Sequence, residues 1–360
     1  MWQFLFLILF IFNFPLAEAR EFKLTIPSRD QTSLTLRCIE PDARPEKLDR
    51  IFVISVGFGQ TSHSFDHLAN ALSKKGAAVC FASARIAEAP ASRWLALKSV
   101  KTGLKEITED YEAVLREVQF MYPQVPIDLI GYSLGGIRIS LAASKLDFQQ
   151  NFPSVRSATL LMSADRLDAM LIQGPLESIS AGALKMLSRF GLARASSPLA
   201  ALSGVGMDLF VNMPELSDAH IRANLAAKGI SGVDFVIYDA LRQSVIHGST
   251  FPGLNASQIR IPMHLMGGSE DASFTHSTMR NYFDSLVSSR RRQLTLMRGA
   301  NHGDILMWNP NRVADARTGK TFSDLIANWP LNSETENRIT QFEPTLMGTC
   351  VENLTQRTDR

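Results

Sequence analysis

The sequence predicts an α/β protein: a doubly wound, mostly parallel sheet interrupted by a helical insertion. Three observations predict it. Short, unbroken apolar runs such as "RIFVISVG" (50–57), "AAVCFAS" (77–83) and "IDLIGYS" (127–133) read as strands buried on both faces. Amphipathic stretches of helical spacing separate them, which is the rhythm of βαβ units. Between 166 and 256 that rhythm stops, and segments rich in Ser, Ala, Gly and Met with apolar residues on helical spacing replace it.

Taken in order, the chain opens on "FLFLILFIF" (4–12), followed by Ala17-Glu18-Ala19. An apolar run of that length with a small-x-small ending predicts an export signal over 1–19, although no Lys or Arg precedes it. The expected location is periplasmic or secreted, with no stable membrane span after cleavage; an uncleaved anchor is the alternative. Residues 22–37 alternate apolar and polar around Ser28-Arg29-Asp30, predicting an antiparallel hairpin. The strand at 50–57 leads into "FDHLANALSKKG", a helix that Gly76 can end. A strand at 77–83, a helix from Lys105 to Met121 stopped by Pro123, a strand at 127–133, a helix beginning "LGGIRISLAASKL" and a strand at 157–165 complete the first part of the core, 20–165. After the insertion, 166–256, the second part of the core, 257–331, carries strands at 259–268 and 293–299 and helices near 275–289 and 321–329. Beyond Pro330 the composition turns polar, and 332–360 reads as a loosely packed tail.

With 360 residues, 45% apolar and 20% charged, the chain can bury a sizeable core. A net charge of +2 argues against a nucleic-acid partner, and the run Arg290-Arg291-Arg292 reads as the solvated end of a helix. Of the three cysteines, Cys80 reads as a small buried hydrophobe, while Cys38 and Cys350 could bridge in an oxidising compartment. None has the spacing of a metal site, and no metal or organic cofactor is implied.

Within "PIDLIGYSLGGIRISLAA" (126–143), Ser133 stands between two glycines where a strand runs into a helix. A turn that sharp strains the backbone and exposes the hydroxyl, the glycines allow strand and helix to pack around it, and the helix N-terminus points N–H groups at any negative charge forming there. Gly and Ser are common, so the G-x-S-x-G pattern is weak until its strand-to-helix placement is added. A serine alcohol needs a base, and the base needs a group that holds its tautomer. Among seven histidines, His302 lies in the glycine-flanked loop "LMRGANHGD" after a late strand. His63 and His67 open the first βα unit, His264 lies inside a strand, His220 and His247 fall in the insertion and His276 opens a helix, so these read as surface, loop or core residues. For the acid, "MHLMGGSEDASF" offers Asp271, whose short side chain suits a strand-end turn, with Glu270 beside it; Asp165, which also ends a strand, is the alternative.

From Arg50 to Leu331 the chain resembles the α/β-hydrolase superfamily: Gly131-Tyr132-Ser133-Leu134-Gly135 matches its nucleophile elbow and the order Ser133, Asp271, His302 matches its triad. The resemblance implies Ser133 as nucleophile, His302 as general base and then acid, and Asp271 as its orienting partner. It also implies an oxyanion hole from the backbone N–H of Leu134 and one from the loop "SVGFGQTSHSF", where Phe58 is the favoured donor and Gly59 the next. That loop departs from the family's common His-Gly start, since Val56 precedes Gly57. The insertion falls where the family places a lid, and Met162, Met170, Met186, Met207 and Met213 could line an apolar acyl pocket or form the lid's own core. The expected activity is hydrolysis of a carboxylic ester of a small-molecule acyl substrate. An aminopeptidase or acyltransferase using the same residues, or a non-catalytic binding protein on the same fold, are the alternatives.

Overall fold

The computed structural model describes residues 20–41, 48–57, 62–82, 104–166, 250–271, 273–329 and 337–345. Their strands are β1 (Arg20–Pro27), β2 (Ser33–Glu40), β3 (Ile51–Ser55), β4 (Ala78–Ala82), β5 (Ile127–Tyr132), β6 (Val155–Leu161), β7 (Met263–Gly268), β8 (Arg292–Met297) and β9 (Arg338–Phe342). The helices are α1 (Asp66–Ser73), α2 (Leu104–Met121), α3 (Leu134–Ala143), α4 (Phe148–Asn151), α5 (His276–Ser285), α6 (Asp304–Met307) and α7 (Phe322–Asn328). All nine strands join one sheet in the order β1-β2-β4-β3-β5-β6-β7-β8-β9. β1 and β2 form the expected hairpin, β2 lies antiparallel to β4, and every later pairing is parallel.

The period-two alternation of each strand divides the core into two. Ile51 and Val53 of β3 face one layer, with Tyr111, Val114 and Val118 of α2, Ile137 of α3 and Met279 and Tyr282 of α5. Phe52 and Ile54 face the other, with Leu68 and Leu72 of α1 and Phe322 and Ile326 of α7. Because both faces are covered, the central strands are apolar throughout, which is why they read as unbroken runs. All parallel strands run the same way, so the loops that follow β3, β5, β6, β7 and β8 gather at one end of the sheet, where a doubly wound fold binds its ligands.

Two expectations are corrected here. Cys80 is buried as expected, but it is not a free thiol: it forms a disulfide with Cys38. β2 runs beside β4 in a register that places Cys38 opposite Cys80, with Cα atoms 4.1 Å apart. The expected partner, Cys350, lies outside the described residues. Second, part of the stretch read as a loose tail is ordered: β9 extends the sheet by pairing with β8, and Phe342 is buried against Trp308 and Phe322. Most of the 166–256 insertion, 167–249, lies outside the described residues. Its two ends meet, because the Phe251 N–H donates to the carbonyl of Asp165 at 3.0 Å. No helix among the described residues is long and apolar enough to cross a membrane.

Candidate active site

β5 ends at Tyr132 and α3 begins at Leu134, leaving Ser133 alone to turn the chain. It does so at φ 52° and ψ −120°, a left-handed conformation that a residue with a Cβ adopts only when its surroundings impose it. The glycines make the turn possible by close approach. A Cβ on Gly135 would lie 1.9 Å from the carbonyl oxygen of Ser55, and one on Gly131 would lie 2.6 Å from the Cα of Gly136. The Ser133 N–H donates to Leu161 at 2.9 Å, and its carbonyl accepts from the Ser163 hydroxyl at 2.8 Å. The turn is thus fixed to β6 from both sides.

His302 follows β8 and Asp271 follows β7, and the structure brings both to Ser133. His302 Nε2 stands 3.0 Å from Ser133 Oγ, and its Nδ1 stands 2.9 Å from Asp271 Oδ2. The other carboxylate oxygen, Oδ1, accepts the backbone N–H groups of Ser273 at 2.7 Å and Phe274 at 3.0 Å. Asp271 therefore cannot swing away without losing two hydrogen bonds in a buried place. The imidazole is packed as well as bonded: the Phe274 ring stacks on it at 5.6 Å and the Tyr132 ring lies tilted to it at 5.3 Å. The backbone of His302 is tied at both ends, its N–H donating to Asn301 Oδ1 at 2.7 Å and its carbonyl accepting the Tyr132 hydroxyl at 2.8 Å. Such a line of hydroxyl, imidazole and carboxylate can withdraw the serine proton as the oxygen attacks an electrophile, with the carboxylate stabilising the imidazolium that results.

Leu134, the expected first oxyanion donor, is the first residue of α3, so its N–H has no carbonyl of its own helix to meet. Gly135 packs against the backbone of Ser55 and Val56, which places the end of β3 beside the same helix terminus. Phe58 and Gly59, the expected second donors, lie outside the described residues.

The carboxylate that meets His302 is that of Asp271, while Glu270 enters the turn through its backbone, donating its N–H to Ala300 at 3.0 Å. Asp165 is buried four residues beyond β6, where desolvation pushes its carboxyl above the usual range. His264 is a core residue: its Nε2 meets Thr295 Oγ1 at 2.8 Å, its ring packs on Trp329, and burial pushes it down to about 3. His63 pairs with Asp66 at the surface, His67 is exposed on α1 and His276 opens α5. Met162 is fully buried, with its sulfur accepting the Gly268 N–H, so it does not line an open pocket. His220, His247, Met170, Met186, Met207 and Met213 lie outside the described residues. Sequence reasoning missed Tyr132, Ser163, Phe274 and Asn301, which touch the three residues without chemistry of their own. Only the adjacency of Tyr132 to Ser133 and of Asn301 to His302 could have pointed to them.

Residues 46–306 match the model of the family described as serine aminopeptidase, S33, a span that runs from the approach to β3 past His302. The chain belongs to that family of α/β-hydrolases. A comparison with curated proteins finds no match. Among solved structures, the S33 chain is similar to a thermostable carboxyl esterase from Bacillus coagulans crystallised with glycerol, at 16% identity and a TM-score of 0.55, covering 78% of this chain and 90% of that one. It is also similar to an esterase from Exiguobacterium antarcticum, at 16% identity and a TM-score of 0.51, covering 79% of this chain and 94% of that one. At such identities the likeness concerns the fold. For this S33 member it agrees with the mostly parallel sheet and with helices on both faces.

Proposed function

We propose that this S33 member is an exported serine hydrolase that cleaves a carboxylic ester through a covalent acyl-enzyme. The observation that carries the reading is the unbroken line from Ser133 Oγ through His302 to Asp271. In the first half-reaction Ser133 Oγ bonds to the ester carbonyl carbon as its proton passes to His302 Nε2, and the carbonyl becomes an oxyanion held by the Leu134 N–H. The intermediate collapses, the bond to the alkoxy oxygen breaks, and His302 returns the proton to the leaving alcohol. Water then attacks the acyl-serine, giving its proton to His302, and Ser133 leaves with a proton regained from the imidazolium. Each half consumes one bond and forms one, and the protein ends as it began.

Export is the second part of the proposal. The apolar run at 4–12 with Ala17-Glu18-Ala19 supports it, and so does the buried Cys38–Cys80 disulfide, since such bonds persist in oxidising compartments. The 166–256 insertion, flanked by the hydrogen bond between Phe251 and Asp165, is read as a lid over Ser133, and the substrate's acyl group as apolar.

The test is hydrolysis of p-nitrophenyl esters of increasing acyl length by the chain lacking residues 1–19, beside its Ser133→Ala variant, with covalent labelling of Ser133 by an activated phosphonate. Turnover and labelling that vanish with the hydroxyl support the reading; full activity in Ser133→Ala overturns it. The family match favours one other reading, an aminopeptidase, so aminoacyl p-nitroanilides belong in the same assay. Turnover of these in preference to esters would transfer the proposal to amide cleavage by the same residues.

A further inference from the structure

We propose that Met162 and Ser163 act as a positioning pair, tying the turn that carries Ser133 to the loops that carry Asp271 and His302. The proposal rests on the serine-hydrolase reading for its kinetic consequences, though not for its geometry.

β6 ends at Leu161, and the next residue, Met162, takes φ 48°, the left-handed region, without being glycine. Its N–H still donates across to Met266 of β7 at 2.8 Å, so the left-handed residue remains pinned to the neighbouring strand as the chain leaves β6. Two bonds result. Ser163 is fully buried, and its hydroxyl donates to the Ser133 carbonyl at 2.8 Å. Gly136 makes room for it, since a Cβ there would lie 2.4 Å from Ser163 Oγ. Met162, also fully buried, offers its sulfur to the Gly268 N–H at 3.1 Å.

Gly268 is where the acid turn and the histidine loop meet. A Cβ there would lie 2.1 Å from the carbonyl oxygen of Ala300, two residues before His302. Its own carbonyl accepts the Asp271 N–H, Glu270 N–H donates to Ala300 at 3.0 Å, and Gly299 N–H donates to Ser269 Oγ at 2.8 Å. The two loops are therefore bonded to each other directly, and Met162 holds them at their root while Ser163 holds Ser133. A simple space-filling role would account for the burial of Met162 among Tyr132, Met266 and Met297. It would not account for a sulfur lone pair aimed at a backbone N–H, for the left-handed backbone, or for the paired bond from the adjacent residue.

The experiment compares Met162→Leu, which keeps volume and removes the acceptor, with Met162→Gln, which keeps reach and restores an acceptor, and with Ser163→Ala. Readouts are kcat and KM for a p-nitrophenyl ester and the low-field proton resonance of the His302 Nδ1–H···Asp271 bond. Positioning predicts that Met162→Leu lowers kcat about tenfold with KM unchanged and broadens the low-field proton, while Met162→Gln recovers part of both. Ser163→Ala should lower kcat and leave the proton signal in place, because its bond is on the nucleophile's side. Space-filling predicts the opposite order, with Leu near wild type and Gln worse; that order, or a sharp wild-type proton signal in Met162→Leu, overturns the proposal. The proton signal needs no turnover, so it decides the matter even if the unaltered protein hydrolyses no ester, an outcome that would count against the serine-hydrolase reading alone.

Discussion

Tyr132 donates its phenolic hydrogen to the backbone carbonyl of His302 at 2.8 Å, so the residue that precedes Ser133 also holds the loop of His302. The ring then lies against both the imidazole and Phe65. Replacing Tyr132 by Phe keeps the ring and removes one buried hydrogen bond, and should cost about 1 kcal/mol of stability. In kinetics it should lower kcat severalfold more than it raises KM. Thermal unfolding and ester hydrolysis on the same preparation check both.

Asp271→Asn keeps the shape of the acid while replacing an anion by a neutral amide at Oδ2 or Oδ1. The backbone donors at Ser273 and Phe274 favour the amide oxygen on their side, which turns the amide nitrogen toward His302 Nδ1. The imidazole would then present its N–H to Ser133, the wrong tautomer for a base. A loss of about four orders of magnitude in kcat with little change in stability is expected, measured by stopped assays and unfolding midpoints.

Gly135→Ala is expected to disturb the fold itself. Its new methyl would lie 1.9 Å from the Ser55 carbonyl, and neither neighbour is a side chain that can rotate away. Separation of α3 from β3 should cost about 3 kcal/mol or more, seen as a lower unfolding temperature and poor accumulation. Phosphonate labelling of whatever remains folded should be slow.

Reduction of the Cys38–Cys80 bond opens a loop spanning 42 residues, for which chain entropy gives a loss of about 4 kcal/mol. Cys38→Ala with Cys80→Ala should therefore unfold at a markedly lower denaturant midpoint. Because both sulfurs are buried, a reductant should act on the native protein only slowly and on the unfolded protein at once.

His264 sets an acid limit on stability. Burial and the nearby Arg291 and Arg338 push it down to about 3, below its ordinary 6.5, so the unfolded chain binds a proton there before the folded one does. Its contribution is complete above pH 6.5 and is lost as the pH falls from 6.5 toward 3. His264→Gln, which retains a partner for Thr295, should show a shallower fall in stability over that interval in urea titrations at stepped pH.

The alternation of strands and helices was legible because each central strand is covered on both faces and each connecting helix on one. Ser133 and His302 were legible for a local reason, since a strand-to-helix glycine pair and a glycine-flanked loop are visible without knowing what lies opposite. Asp271 could be narrowed to a strand-end turn, but its separation from Glu270 depends on which carboxylate meets His302, a contact across β7 and β8. The Cys38–Cys80 bond was hidden because β2 skips its sequence neighbour β3 to lie beside β4. β9 was hidden because an edge strand has a wet side, and "RITQF" is mostly polar or exposed. Met162 and Ser163 have no signature: the backbone angle at Met162 and the bonds of the pair to Gly268 and Ser133 exist only in the folded chain.

The hydrogen bond between Asp165 and Phe251 gives the chain a door with a single jamb. The chain leaves the described frame after Arg166 and re-enters it at Thr250, and that bond joins the two sides of the exit. The entropy of closing a long loop changes slowly with its length, and a segment of another size or composition can be exchanged there with little penalty to the frame. The frame that holds Ser133, Asp271 and His302 can in this sense keep its geometry whatever the length of the span between 166 and 250.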